Sequence, residues 1–562
     1  MAARLRSPMI GIDLGTGYSS VGVWNRESNC VEIIADKKGN TRIPNSMVFT
    51  KTHCQFGVSG DMEDQLSIDP DNTIVSNVKR LIGRRDKSLI FRRFPYIQSD
   101  LHQYPFQVTA NSIGMPTVAF NYKGEPKQLY VEAISAMVVS NLVEIVKTHP
   151  SITHVSDAVI TVPCYFTTSQ RGATIDAARM AGLQYVHIVN DSTAAALAYG
   201  FKGKVHAERE QKNLLVFDLG AGSLDVSLVR IENGRYQVIA CIGDTHLGGN
   251  DFDKRMVDLF VQEFQNDHKE DISANPRAVR RLAIAYESAK RTLSSREINQ
   301  ATIHIDSLVD GINFDKTITR DTCDQINMDL YHKCVKLVDE CLKDAAIDTS
   351  SVSDVLLLGG SSKIPMLQEL LESFFKGTRV SIHRDEEELV AYGAALLGAM
   401  LTIDTDEVQS LSICDVATLS VSRVTSSPIN RILPAKLKKL DVFNRKTAIF
   451  PRKTPLPTKK EQNYSISSHN FWFHREKRYK LTLYEGHDQM DLLGTFEFTG
   501  IPKGASKITV SFEINHSGFL FVTAEADNVR IEVTCKRGRL TDYLDVHHLN
   551  SEVRNYMQSA VY

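Results

Sequence analysis

Ile10-Gly11-Ile12-Asp13-Leu14-Gly15-Thr16-Gly17, near the start of the chain, has a second copy far downstream: Leu215-Val216-Phe217-Asp218-Leu219-Gly220-Ala221-Gly222-Ser223. In each, an apolar strand runs into an Asp and a small glycine-rich turn. The strand then resumes, through Val21-Gly22-Val23-Trp24 in one copy and Asp225-Val226-Ser227-Leu228-Val229 in the other. Glycine lets backbone N–H groups crowd around an anion, because no Cβ blocks the approach and left-handed dihedrals cost little. An Asp at the strand end suits a hydrated Mg²⁺, a hard cation that keeps most of its waters and bridges phosphate oxygens. Two such hairpins facing each other would clamp a nucleoside triphosphate between two lobes. A single DxGxG turn is more often a plain hairpin; the duplication is what points to an ATP site.

At 562 residues the chain is too long for one core and suggests about three domains. Lys plus Arg total 65 against 67 Asp plus Glu, so the net charge of −2 predicts no bulk attraction to nucleic acid or membrane. The start, Met1 to Pro8, has no apolar core of a secretory signal, and no uninterrupted apolar run approaches bilayer-spanning length. The 9 cysteines are scattered, without a C-x-x-C pair, and Cys334 and Cys341 have the spacing of a helical core stripe. A soluble protein of a reducing compartment is expected, with the cytoplasm as the default location.

From about residue 9 to 401 strands and helices alternate, the signature of an α/β fold. Val155 to Val162 reads as a strand. The next stretch opens with Thr167 and Gln170, spaced as a capping box, and closes with Gly182 at a C-cap position. Tyr185 to Val189 reads as the following strand and Ser192 to Tyr199 as a short helix. That βαβα order predicts a largely parallel sheet covered by helices. From Arg277 to Ser294, Val279, Leu282, Tyr286, Ala289 and Leu293 recur at helical spacing, while Glu287, Lys290, Arg291 and Ser294 form one polar stripe. On this helix alone the stripe reads as a solvated face, held by a Glu287–Lys290 or Glu287–Arg291 pair worth a few tenths of a kcal/mol. After Met400 comes the short acidic stretch Thr402 to Glu407, and then Leu411, Ile413, Val416 and Leu419 as an apolar segment on an exposed connector. Short β-rich runs separated by turn residues follow to about Thr541, as in a small antiparallel sandwich. The last twenty-odd residues predict one short helix at most.

Together these residues resemble the seventy-kilodalton heat-shock (DnaK-type) chaperones, which are built on the actin-like (ribonuclease H-like) ATPase fold shared with sugar kinases. The resemblance extends to about Leu540. It is carried by Lys79-Arg80-Leu81-Ile82-Gly83-Arg84, Gly243-Asp244-Thr245-His246-Leu247-Gly248-Gly249, Ala289-Lys290-Arg291-Thr292-Leu293-Ser294, the turn Leu356 to Pro365, and Ala391-Tyr392-Gly393-Ala394-Ala395. It implies an ATPase domain over 1–401, a linker over 402–416, a β-sandwich peptide-binding domain over 417–540, and a short tail over 541–562 in place of a helical lid. Carried over by position, Asp13 and Asp218 would organise Mg²⁺ through water. Gly15, Thr16, Gly220 and Gly222 would contact phosphate, and Gly17, Tyr18, Ala221, Ser223, Gly248 and Gly249 would belong to the same cofactor-binding site. Lys79, with Asp191, would orient the attacking water and stabilise charge on the γ-phosphate. Glu287, Lys290, Arg291 and Ser294, with Gly359, Gly360, Ser361, Lys363 and Glu387, would hold ribose and adenine, which replaces the solvated-face reading of that stripe. Pro163 and Arg171 match the residues that relay nucleotide state to the linker. The implied cofactors are ATP or ADP, Mg²⁺ and K⁺. The implied partners are unfolded or nascent polypeptides, a J-domain co-chaperone and an exchange factor, with no DNA and no membrane.

Several positions depart from the family pattern. Gly17 replaces a Thr. Ala221 replaces a glycine, at a cost of roughly 1–2 kcal/mol if the position needs φ > 0. Asp191-Ser192 stands where Glu-Pro is usual, shortening a carboxylate beside the metal shell, and a misplacement of about 1 Å there can cost about a hundredfold in rate. Lys363 replaces an Arg that would stack on adenine, and Glu387 replaces an Asp. These changes predict ATP binding with slow turnover. In the sandwich, Ser426 to Leu440 and Phe471 to Lys477 are extra stretches, and Tyr479 aligns with a pocket valine that it would narrow or fill. Without a lid, a client would exchange quickly. Arg431, Lys436, Lys438, Lys439, Arg445, Lys446, Arg452, Lys453, Lys459 and Lys460 make a basic segment open to RNA or ribosome contact, but no aromatic interleaves before Phe443 and a solvated loop is favoured. Cys414 in the linker would suit a redox switch, but an ordinary linker thiol is favoured. The leading function is an ATP-dependent chaperone for exposed apolar segments, with slow ATPase activity. The alternative is a catalytically weak, nucleotide-binding regulatory partner or co-chaperone of a full-length relative. A small-molecule kinase would leave the linker and sandwich without a role.

Overall fold

The doubled turn belongs to two sheets of one design. The computed structural model describes residues 9–561 except 68, 70–71, 85–103, 105, 112–113, 151, 153, 204–210, 377–380, 384–386, 404, 427–443, 466–478, 487–489, 503, 537–545 and 559. In lobe I, β1 (Ile10–Leu14), β2 (Tyr18–Asn25) and β3 (Cys30–Ile33) pair antiparallel. β4 (Asp157–Val162) and β5 (Tyr185–Asn190) run parallel on the other side of β1, giving the order β5-β4-β1-β2-β3. Lobe II repeats this with antiparallel β6 (Lys212–Leu219), β7 (Leu224–Glu232) and β8 (Arg235–Asp244), flanked by parallel β9 (Asp354–Leu358) and β10 (Ser381–His383) in the order β10-β9-β6-β7-β8. This is the two-lobed, actin-like architecture. The central strands read as almost unbroken apolar runs because helices cover both faces of each sheet.

In lobe I these helices are α1 (Val131–Lys147), α2 (Thr168–Met180) and α3 (Asp191–Lys202). α2 starts at a complete Thr167–Gln170 capping box and is followed by Gly182 at φ +96°, as its sequence predicts. Strand β4 is two residues shorter at its start than predicted, and α3 is longer at both ends. In lobe II, α4 (Gly249–His268), α5 (Pro276–Leu293) and α6 (Arg320–Ala345) surround the sheet and its hairpin extension. α7 (Leu389–Thr402) returns to lobe I and lies against β1 and α3. Its small residues allow that approach: a Cβ on Gly393 would fall 1.8 Å from the Ala194 carbonyl oxygen, and one on Gly11 2.0 Å from the Ala395 nitrogen.

The connector is not exposed. Val408, Leu411 and Val416 are buried, and β11 (Ser412–Cys414) adds to the β8 edge as a parallel strand. An apolar run between polar ones looks like a solvated linker until the unpaired edge of β8 is brought beside it. Beyond it β12 (Val421–Ser426), β13 (Asn444–Phe450), β14 (Thr458–Ser465), β15 (Tyr479–Gly486), β16 (Met490–Thr499), β17 (Lys507–Ile514), β18 (Leu520–Ala526) and β19 (Val529–Lys536) pair antiparallel in the order β13-β12-β15-β16-β19-β18-β17-β14. This sandwich closes on its own core, which includes Leu483, Phe496, Phe498, Val510 and Phe512. The Phe471–Lys477 stretch, residues 427–440 of the first extra stretch and the Tyr479 side chain lie outside the described residues, as do Arg431, Lys436, Lys438 and Lys439.

The tail forms α8 (Val546–Gln558) and folds onto lobe I. Leu549, Val553 and Tyr556 enter the lobe I core, where the Tyr556 ring lies 5.1–6.0 Å from Tyr122, Phe120 and Phe49. Ala560–Val561 then pairs parallel with Cys54–Gln55. Cys334 and Cys341 are buried in the lobe II core as predicted. Cys164 and Cys241, 77 residues apart in sequence, are joined as a disulfide. Among the described residues no helix is long and apolar enough to cross a membrane.

Candidate functional site

The two glycine turns meet across a cavity of about 380 Å³ between the lobes. Carbonyls of both turns are engaged by hydrogen-bond donors. Asn45 Nδ2 donates to the Gly15 oxygen at 2.7 Å. In the second turn, Gly220 O accepts from Gly249 N and Ser361 Oγ, Ala221 O from Asn250 N, and Gly222 O from Arg80. Glycine-rich turns whose carbonyls are already engaged suit an anion cradle built from backbone N–H groups.

Glycine is required here for space, not for unusual dihedrals. A Cβ on Gly15 would sit 2.1 Å from the Tyr18 oxygen, and one on Gly222 2.7 Å from Thr16 Oγ1, yet neither residue has positive φ. Ala221 also lies outside the positive-φ residues, so the strain expected of it is absent. The reason for the substitution lies across the cleft. A Cβ on Gly17 would be 3.3 Å from the Ala221 methyl, so the side chain missing at one departure makes room for the methyl gained at the other.

Asp13, Asp191 and Asp218 form the floor of the cavity, with Asp225 buried beside Asp218. Asp13 is the penultimate residue of β1, Asp218 that of β6, and Asp191 opens α3. Asp225 faces Asp218 directly in the β6–β7 register. Burial and the charge of Asp191 push Asp13 up to about 7, against the pull of Lys79 and Arg42. Burial and the neighbouring aspartates likewise raise Asp218, and Asp225 rises to about 7. Lys79, on a single 3₁₀ turn (Val78–Arg80), points its Nζ to 4.0 Å from Asp191 Oδ2, while Asp191 Oδ1 is buried with no hydrogen-bond partner. A floor with that much negative charge and an unmatched carboxylate oxygen fits a hydrated divalent cation. Among the described residues no three His, Cys, Asp or Glu side chains converge on a metal-ligating geometry.

The polar stripe of α5 lines the cavity at its solvent-exposed rim. Arg291 bridges Glu287 (2.7 Å) and the Tyr18 hydroxyl of lobe I (2.6 Å), and Lys290 donates to Asp253 at 2.8 Å. Burial pushes Glu287 up, but Lys290 and Arg291 outweigh it and hold its carboxyl below the usual range. Lys363 pairs with Glu387 at 2.6 Å, and Arg42 of lobe I reaches the same carboxylate while lying 4.8 Å over the Tyr18 ring. Every residue expected at the site lines this cavity except Gly248. Gly248 caps α4 instead, donating to Asp251, with the second turn packed where its Cβ would be.

Sequence reading missed Asp225, Arg80, Asp253, Asn250 and Arg42. Asp225 had a signal, since a four-residue turn places it opposite Asp218. Arg80 follows Lys79 in a quoted motif; it binds Gly222 O and pairs with Asp251 across the lobes. Arg42 had none, because its partners are distant in sequence.

From the floor a buried polar chain leads to the connector. Arg171 donates to the carbonyls of Cys164 and Phe166 and, at 2.6 Å, to Asn190 Oδ1. Asn190 Nδ2 and Thr193 Oγ1 both donate to Asp415 Oδ2, and Thr418 Oγ1 donates to the Cys164 carbonyl. Glu485 of the sandwich accepts from the Thr168 N–H and hydroxyl at the start of α2, where a carboxylate is favoured by the helix dipole.

Residues 9–558 match the family model described as Hsp70 protein. The chain is 41% identical over 548 residues to a heat shock 70 kDa protein of Neurospora crassa, covering 95% of this chain and 79% of that one. It is 40% identical over 545 residues to heat shock cognate 70 kDa protein 3 of Dictyostelium discoideum, covering 95% and 81%.

Proposed function

The chain belongs to the Hsp70 family, whose relatives carry a chaperone role, and on that premise we propose that it is an ATP-dependent chaperone with a nucleotide site between its lobes. In this reading residues 1–401 bind and hydrolyse ATP, 402–416 form the linker, and 417–540 hold exposed apolar segments of unfolded clients in the cytoplasm. A J-domain protein and an exchange factor would drive the cycle.

One observation carries the reading. The two glycine turns, one from each lobe, enclose Asp13, Asp191, Asp218 and Lys79, and Asp225, buried beside Asp218, starts a hydrogen-bonded chain to the connector. Asp13 and Asp218 would hold Mg²⁺ through water, which would supply charge neutralisation at the phosphates. The N–H groups of the turns would orient the γ-phosphate, and Lys79 would donate to its oxygens as charge builds there. The unpartnered Oδ1 of Asp191 would accept a hydrogen from the attacking water. Transfer gives ADP and phosphate, and the chain's part is positioning and electrostatics.

A second reading, a regulatory partner that binds nucleotide but turns it over weakly, is favoured by one feature. Asp191 is a methylene shorter than the usual Glu and stands 4.0 Å from Lys79, beyond hydrogen-bond length. Single-turnover hydrolysis of pre-bound ATP, with and without a J-domain protein and an unfolded client, separates the two. Stimulation by both supports the chaperone cycle. Tight binding without stimulated turnover supports the regulatory reading, and Asp191→Glu should then restore turnover.

A further inference from the structure

Cys164 and Cys241 stand in different lobes. Cys164 follows Pro163 at the end of β4, Cys241 lies in β8, and the structure joins their sulfurs within one buried core shared by the two lobes. The other described cysteines, Cys30, Cys54, Cys323, Cys334, Cys341 and Cys414, are free. The backbone of Cys164 is a junction. Its N–H donates to Asp225 at 3.0 Å, and its carbonyl accepts from Arg171 at 3.1 Å and from Thr418 at 2.7 Å. One sulfur is therefore anchored to Asp225 beside the acidic floor, the coupling arginine and the connector, and the other to the strand whose edge carries β11.

We propose that Cys164 and Cys241 are a modification site for peroxide, at which oxidation fastens lobe I to lobe II and slows ligand exchange in the cleft. In the reduced form the pair is two buried thiols, and the lobes can part to admit and release a ligand that both of them line. Hydrogen peroxide is about the size of water and enters when they do, which a protein oxidant cannot. One thiolate attacks the O–O bond, giving a sulfenic acid and hydroxide. The second thiol displaces the sulfenic hydroxyl, forming the S–S bond and water. Overall two thiols and one peroxide give one disulfide and two waters, each sulfur losing one electron. A small dithiol reverses the step by exchange. With the disulfide closed, the base of the cleft is held by a covalent bond, and the hinge motion that opens it is restricted.

The expected effect on nucleotide rests on the proposed function; the cross-link does not. The full chain is treated with hydrogen peroxide or dithiothreitol and mapped for a Cys164–Cys241 linked peptide. Release of a fluorescent ADP analogue is then followed after a chase of unlabelled ADP. The linked peptide should appear only after peroxide, and the oxidised chain should release the analogue about fivefold more slowly or more, the lower end of ordinary coupling. Dithiothreitol should reverse this, and Cys164→Ser and Cys241→Ser, each checked for native circular dichroism, should abolish it. No linked peptide, unchanged release in the linked chain, or slowing that persists in both serine variants overturns the proposal. Should neither form bind nucleotide, the ATP reading fails instead, and hydrogen exchange decides the cross-link. Slower exchange across β8 and β11 in the oxidised chain supports it; identical exchange overturns it.

Discussion

Asp415→Ala should release the connector while leaving both lobes and the sandwich folded. The Asp415 carboxylate accepts from Asn190 Nδ2 at 2.8 Å and Thr193 Oγ1 at 2.9 Å, and Asn190 in turn holds the buried Arg171. Hydrogen bonds to a charged group contribute about 1.5–3 kcal/mol each, or roughly 3–6 kcal/mol for the two. Against that, burial raises the pKa of Asp415 despite its bonds, so part of the gain is spent on desolvating the carboxylate. A net loss of about 2–3 kcal/mol remains, roughly a 30- to 160-fold rise in the undocked population. Hydrogen exchange of the amides from 411 to 418 reads this directly, because exchange there follows local opening. Asp415→Asn keeps an acceptor oxygen and should fall in between. Exchange within about threefold of the parent chain, or an equal loss of protection in the sandwich core, would refute the reasoning.

Arg42→Ala should speed nucleotide release about fivefold by stopped flow, since it removes a half-exposed ion pair to Glu387 and a cation–π contact over Tyr18, together about 1 kcal/mol. Gly17→Thr should weaken ATP binding by crowding the Ala221 methyl, and Ala221→Gly in the same chain should recover it. A coupling energy below about 0.3 kcal/mol in that double-mutant cycle would separate the two positions. His187, on β5, is lowered from 6.5 to about 4 by burial and by His516 of the sandwich. Its neutral form is the one the fold accommodates, so its contribution is present above pH 6.5 and lost as pH falls towards 4, at most on the order of 3 kcal/mol. Protection of the connector should fall over that window, and His187→Gln should flatten the dependence.

The long periodic elements were legible because their signals are local. The Thr167–Gln170 box and Gly182 bracket α2, and the spacing of Val279, Leu282, Tyr286, Ala289 and Leu293 places the buried face of α5. The two Asp-and-glycine turns announce a cleft because each carries its own chemistry within a few residues. The stripe of Glu287, Lys290, Arg291 and Ser294 was ambiguous from spacing alone, and only the family resemblance directed it to the site. Its contacts, Tyr18 and Asp253, come from other elements.

What the chain's order of residues determined by itself is therefore the doubled α/β plan, the sandwich and the residue types on the cleft walls, since strand burial, capping and turn chemistry are written at short range. The tertiary structure alone decided how those pieces meet. It set the pairing of Gly17 with Ala221, the burial of the connector on the β8 edge, the docking of α8 on lobe I, the bridge from Arg42 to Glu387 and the union of Cys164 with Cys241. Each depends on a contact between groups far apart along the chain, and local pattern carries no information about which distant surface will be left unpaired to receive them.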